Sequence, residues 1–397
     1  MNAEGHNDTG HIDTGHIDTG PVGPLGDLRV IDCATVIAGP GCARYLADFG
    51  ADVVKVERPG GDTARDLGWR EAPDGDSLWW KIMGRGKRTI TLDLKDPEDL
   101  EVMLQLCDSA DVLVENFRPG VLERLGLAPD VLLERNPGLV VTRVTGFGQD
   151  GPYRDRPAFA TQAEALSGFA AINGEPDGAP LLPPIALTDE VTALVAAFAT
   201  MVAVHSGRGQ VVDVNLMESM LQMMGPLVPL YGLTGVTQER LGAGIPYTVP
   251  RNTYRCADGA WVAISSSAES VAQRVLELIG LGGDPRFEGF AGRVTHRDEI
   301  DECLGEWIGR RSLDEVLAEF DRVHAAAAPV YDMANIFADP HYEARGAITT
   351  VDGVPMPDVV ARLSATPGSV RWAGRSQDHD ADEIREELRR GSRRPRR

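Results

Sequence analysis

The chain has 397 residues, 43% of them hydrophobic, enough for a substantial core and, by length, for two domains. A formal net charge of −21 disfavours nucleic acid or an anionic membrane as partner, and no apolar run approaches the roughly 20 residues that span a bilayer. Five scattered cysteines (Cys33, Cys42, Cys107, Cys256, Cys303), without a CxxC pair or His-rich ligand spacing, argue against disulfides and structural zinc and for a reducing cytoplasm.

The polar, acidic N-terminus does not read as a signal peptide. Residues 1–23 repeat G-H-I-D-T at 10–14 and 15–19 and lack the apolar content to order themselves. A disordered tail is expected, with weak metal binding by its three histidines and three aspartates as the alternative. Strand patterns follow at 28–33 (L-R-V-I-D-C), 51–57 (A-D-V-V-K-V-E), 89–94, 110–114 and 139–145. Helical patterns alternate with them at 39–50, 97–107 and 129–135, and a further helix runs from Asp189 to about His205. Alternating strand and helix predicts a parallel, doubly wound α/β domain. Residues 210–216 lead into the Met-rich 217–224, and a Gly- and Pro-bearing connection continues to 250. The segment 252–266 reads as a hairpin through C-A-D-G, followed by helices near 270–279, 297–309 and 312–323. The resulting organisation is a large Rossmann-like domain over 24–216, a linker at 217–250 and a smaller α+β domain at 251–324. A second linker at 325–339 precedes a return to the large domain at 340–388 and a basic tail at 389–397.

After the first strand, A-G-P-G-C-A-R (38–44) invites comparison with the dinucleotide fingerprint, and Glu57 ends the second strand where a ribose-binding acid would sit. Arg44 takes the place of the third glycine, where a side chain obstructs close helix packing. A helix N-terminus can still hold a phosphate, so the region suggests a nucleotide-like anion and says little about nicotinamide. The stretch 181–194 (L-L-P-P-I-A-L-T-D-E-V-T-A-L) puts Asp189 at the exit of an apolar segment and the start of a helix, with Thr188 or Asp189 as N-cap. Backbone N–H groups and the helix dipole there favour an ionised carboxylate, which is either a plain cap or a nucleophile.

Taken together, the segments at 24–32 (P-L-G-D-L-R-V-I-D), 38–40 (A-G-P), 46–62, 86–95 (G-K-R-T-I-T-L-D-L-K), 110–120 (A-D-V-L-V-E-N-F-R-P-G), 146–153 (G-F-G-Q-D-G-P-Y) and 207–214 (G-R-G-Q-V-V-D-V), with D-P-H-Y-E-A-R-G (339–346) and R-L-S-A-T-P (362–367), resemble class III coenzyme A transferases. That group includes formyl-CoA transferase, carnitine CoA-transferase and α-methylacyl-CoA racemase. The resemblance spans about 24–387 and implies an interlocked homodimer, with 217–250 and 325–339 as the threaded connections. It places the catalytic aspartate on Asp189, attacking an acyl-CoA thioester to give covalent aspartyl intermediates, with a small carboxylic acid as acceptor and succinyl-CoA as a donor by analogy. It implies coenzyme A contacts at Ile37, Ala38, Arg58, Leu92, Lys95, Asn116, Phe117, Arg118 and Arg124. It assigns Gly242 and Gly244 to a shortened glycine lid; Glu164, Tyr247 and Arg251 near that lid would build the acceptor-side wall, while Glu164 also reads as a helix-surface residue. The apolar 181–187 approach would keep water out. The racemase branch carries His-Asp where this chain has Phe159 and Ala160, neither of which moves a proton. A non-catalytic acyl-CoA-binding protein is the remaining alternative. No permanently bound cofactor and no metal are expected, and the location expected is cytoplasmic.

Overall fold

The computed structural model describes residues 23–266 and 268–391, so the readings of the tails at 1–22 and 392–397 lie outside the described residues. Six strands, β1 (Arg29–Asp32), β2 (Asp52–Glu57), β3 (Lys87–Thr91), β4 (Val112–Glu115), β5 (Val140–Thr145) and β6 (Gln210–Asn215), form a parallel sheet in the order β3-β2-β1-β4-β5-β6. This is the strand order of a dinucleotide-binding α/β fold, with its switch point between β1 and β4. Every residue of β1, β2, β4 and β5 is buried, as parallel strands covered on both faces require.

The side-chain period of two splits the core. Val30, Val53, Val112 and Val140 pack under helices α1 (Ala38–Asp48) and Leu187–His205, while Ile31, Val54, Leu113 and Val141 pack against the helix Pro97–Ser109. We number the helices used below α1, α2 (Pro97–Ser109), α3 (Pro129–Arg135), α4 (Ala160–Leu166) and α5 (Leu187–His205). Asp96 caps α2 by accepting from the N–H groups of Glu98 and Asp99, and Pro97 and Pro129 open α2 and α3, where a missing N–H costs nothing. By length and composition α5 is apolar enough to cross a membrane, which the sequence reading did not pick out. Its Thr188, Thr192, Ala193, Ala196, Ala197, Thr200 and Ala203 are nevertheless buried in the core.

Several boundaries differ from expectation, two of them for reasons the packing makes plain. The third strand begins at Lys87, two residues before the pattern predicted, because two cations enter the core with partners. Lys87 Nζ lies 2.8 Å from Asp32, and Arg88 pairs with Asp52 and with Glu387. The second connection is partly sheet: β7 (Arg251–Arg255), β8 (Trp261–Ser265) and β9 (Ala327–Pro329) form one antiparallel sheet. β9 therefore belongs to the smaller domain, whose core includes Tyr254, Val262, Ile264, Leu304 and Phe320. The first connection contains α6 (Leu216–Met223) and α7 (Leu227–Thr234), the latter with no buried residue. A hairpin of β10 (Ile348–Val351) and β11 (Val354–Pro357) packs beside Ala72 and Ala373. The chain ends its return with a helix, Ala381–Arg389, whose Ala381 and Ile384 join the large-domain core.

Candidate active site

At the carboxyl ends of β1–β4 lies a cleft of about 380 Å³ lined by Cys33, Thr35, Glu57, Arg58, Asp62, Leu92, Lys95 and Phe117, among others. Four of the residues singled out from the sequence, Arg58, Leu92, Lys95 and Phe117, thus meet in one place, as side chains on successive strand ends must in an open α/β sheet. Asn116 spans the switch point instead of lining the cleft. Its Oδ1 accepts from Thr35 N at 2.8 Å and its Nδ2 donates to Thr35 O at 2.7 Å, tying the end of β4 to the loop before α1. Ile37 and Ala38 are buried at the start of α1, and Arg118 and Arg124 are exposed beyond the lining. Among the described residues, the side chains of Lys95, Arg118 and Arg124 carry no ion pair, so these cations are open to a phosphate.

Charges beneath the cleft are committed elsewhere. Lys87 donates to Asp32 Oδ2 at 2.8 Å and to Pro40 O at 2.7 Å, and Lys55 sits 2.8 Å from Asp62 while also holding Ala34 O. Burial alone would depress Lys55, but Asp32 and Asp62 hold it above the usual lysine range. Burial would likewise raise Asp62; Lys55 and the Ala64 and Val36 N–H groups bring it below the usual carboxylate range. Glu57, the acid at the ribose-binding position, accepts from Asp62 N at 2.9 Å and from Arg65 at 2.7 and 2.8 Å, which leaves it no role toward a ribose. Sequence reasoning missed Asp62 and Arg65; the run R-P-G-G-D-T-A-R directly after β2 was the available signal.

Both α1 and α5 run antiparallel to the strands, so their N-termini share the carboxyl edge of the sheet. They pack closely because Gly41 faces Ala193: a Cβ at Gly41 would stand 2.8 Å from that of Ala193. Gly41 thereby lets α1 and α5 approach closely. Arg44, in that third position, turns to α5, where Nη2 donates to Glu190 at 2.8 Å, and Tyr45 Oη donates to the same oxygen at 2.8 Å.

Asp189 follows a different rule from the one its sequence position suggested. Ala186 is the N-cap of α5, and Asp189 is the third helical residue. Thr188, the other proposed cap, is fully buried and donates its hydroxyl to Glu164 Oε1 at 2.9 Å. The Asp189 carboxyl is pushed up to about 6, first by burial and then by the charges of Glu164 and Glu190. Burial and these like charges act against the ionised form that a helix N-terminus favours. The helix-surface reading of Glu164 fails as well: it is 4% exposed.

The proposed lid segment is tied to its neighbours. Gly242 N donates to Gly174 O at 3.0 Å, and Arg240 donates to the carbonyls of Glu175 and Gly178. On the other side Arg251 reaches Ala243 O, and Arg297 reaches Ile245 O at 2.6 Å. Gly242 has φ +56°, a left-handed conformation that suits glycine; Gly244 N bonds Leu241 O, and Tyr247 is exposed. The apolar approach does not shut out water within one chain, since Leu181, Leu182 and Ile185 are themselves exposed. Phe159, at the start of α4, is exposed too and offers no proton-transfer group. Among the described residues no group of three or more His, Cys, Asp or Glu is placed to hold a metal ion.

The profile of CoA-transferase family III matches residues 25–376. The chain is 41% identical over 367 residues to the succinyl-CoA–D-citramalate CoA-transferase of Chloroflexus aurantiacus, covering 89% of this chain and 91% of that one. It is 40% identical over 381 residues to the succinyl-CoA–L-malate CoA-transferase beta subunit of the same organism, covering 92% and 94%. The crystal structure of a CaiB/BaiF family protein from Brucella suis matches with a TM-score of 0.82 and 31% identity, over 92% of this chain and 99% of that one.

Proposed function

This chain belongs to CoA-transferase family III, and from that premise we propose that it moves coenzyme A from succinyl-CoA to a short dicarboxylic acid through covalent intermediates on Asp189. The supporting observation is the carboxyl itself, raised to about 6 at the carboxyl edge of the sheet, beside the helix whose N-terminus adjoins the cleft. A carboxylate of raised pKa is a better nucleophile than an ordinary aspartate and is still ionised at neutral pH. Its oxygen attacks the thioester carbon, the C–S bond breaks, and the CoA sulfur leaves with the electron pair. The thiolate then attacks the Asp189 carbonyl carbon and expels the donor carboxylate, leaving an aspartyl-CoA thioester for the acceptor. The choice of donor and acceptor follows the names of the two Chloroflexus relatives, both succinyl-CoA-dependent.

In this reading Lys95, Arg118 and Arg124 meet the phosphates, Arg58 and Phe117 the adenosine, and Leu92 the cleft wall. Ile37, Ala38 and Asn116 shape the switch point, and Gly242, Gly244 and Tyr247 close over the acceptor. The reaction takes no permanently bound cofactor and no metal, and the location is cytoplasmic. A second copy completes the site as an interlocked homodimer. What supports this is the apolar surface of the first connection, where Leu233 of α7 is 85% exposed, and of α5, where Phe198 is 73% exposed. A folded monomer at micromolar concentration by sedimentation would remove the dimer. The test of function is a mass-spectrometric screen of carboxylic acids against succinyl-, acetyl- and propionyl-CoA. New CoA esters are expected with succinyl-CoA and dicarboxylates; binding without exchange would leave only an acyl-CoA-binding protein.

A further inference from the structure

Glu164 is a buried charge for which the chemistry above has no use. It projects from α4 toward the first turn of α5, and its hydrogen-bond donor is the neutral hydroxyl of Thr188. That hydroxyl is held in place, since Thr188 is fully buried and its carbonyl accepts from Thr192 Oγ1 at 2.7 Å. The charged groups facing Asp189 are Glu164 from α4 and Glu190 from α5. Glu190 is neutralised from α1 by Arg44, 2.8 Å away, with Tyr45 on the same oxygen. Glu164 enters no ion pair among the described residues, so its charge acts on Asp189 without a counter-charge of its own. Burying a carboxylate this way costs stability, and such a cost is commonly kept where it serves a reaction.

We propose that Glu164 is a positioning residue for CoA transfer, whose fixed negative charge disfavours the free Asp189 carboxylate and thereby favours its covalent acyl and CoA adducts. The proposal rests on Asp189 being the nucleophile. Each covalent step removes the charge from Asp189. When its oxygen bonds the acyl carbon, the charge leaves on the CoA sulfur; when the thiolate displaces the anhydride, it leaves on the donor carboxylate. Repulsion from Glu164 is therefore present in the free enzyme and absent in both adducts. Because Asp189 is regenerated at the end, the overall exchange equilibrium is untouched and only the population of intermediates moves.

The experiment is intact-protein mass spectrometry of wild type, Glu164→Gln and Glu164→Asp mixed with succinyl-CoA across pH 4–8, with exchange rates measured in parallel. Gln keeps an oxygen for the Thr188 hydroxyl and loses the charge. We expect Glu164→Gln to move the acidic limb of the rate down by roughly one pH unit, because a like charge has been removed. Its CoA-adduct fraction should fall several-fold, while Glu164→Asp stays near wild type. An adduct fraction and acidic limb that Glu164→Gln leaves unchanged overturn this proposal alone. Absence of any adduct in wild type overturns it together with the nucleophile reading. A wild-type limb near that of an ordinary aspartate overturns it without any variant, should Glu164→Gln fail to fold.

Discussion

At the carboxyl edge of the sheet, the cleft over β1–β4 and the corner at the start of α5 handle charge in opposite ways. In the cleft floor every buried carboxylate named above has its cation: Asp32 has Lys87, Asp62 has Lys55, and Glu57 has Arg65. At the corner Glu190 pairs with Arg44, while Glu164 and Asp189 enter no ion pair among the described residues. The first arrangement holds loops in place for a ligand whose cations wait at the rim. The second leaves Asp189 beside like charges, which under the proposed mechanism its covalent adducts would relieve.

Replacing Asp189 by Asn puts the strongest strain on that contrast. Turnover in a CoA-exchange assay should fall by at least ~10³-fold, roughly 4 kcal/mol of barrier. The same variant should melt higher than wild type at pH 7–8. The folded pKa is raised, so between the unfolded value of 3.8 and about 6 the native state holds more protons than the unfolded chain, and stability falls as pH rises through that window. Removing the charge removes that loss; a lower melting temperature would show that the corner is not electrostatically strained. In the cleft floor the opposite sign holds. Lys87→Met leaves Asp32 buried with Lys55 at 3.8 Å and should cost about 3 kcal/mol in a denaturant titration. An unchanged midpoint would mean that the network is not structural.

The pH dependence comes next in size. Exchange in wild type should rise with pH and level off above about 6, falling about tenfold per unit below that point as Asp189 protonates. A flat profile from pH 5 to 8 would separate the rate-limiting step from Asp189. The smallest effect belongs to the rim: Lys95→Ala should raise KM for the CoA substrate about tenfold with little change in kcat, the loss of one exposed phosphate contact. A kcat effect instead would place Lys95 nearer the reacting atoms than the cleft lining suggests.

Much of the large domain was legible from periodicity. Strands β1, β2, β4 and β5 each carry a short Val/Ile/Leu run in regular alternation with helical patterns, and α3 begins and ends where its Pro129 and Arg135 suggested. β3 was read late because Lys87 and Arg88 look like surface residues until their partners are known. β9 was hidden in a connection because A-A-P has no strand signature; its pairing with β8 comes from residues more than sixty positions away. In the site, Arg58, Leu92, Lys95 and Phe117 were reachable by resemblance. The Arg44–Glu190 pair was not, since no local pattern links α1 to α5.

The sequence by itself carried the alternating α/β order and singled out Asp189 as the residue to watch, because these follow from local periodicity and from long ordered matches along the chain. Tertiary structure alone decided the state of that residue. A local reading sees a helix N-terminus and favours the anion; the folded chain adds burial, Glu164 from α4 and Glu190 beside it, which raise the carboxyl to about 6. Helix-terminus stabilisation acts within one turn and can be read locally, whereas desolvation and like-charge repulsion depend on what the fold brings alongside.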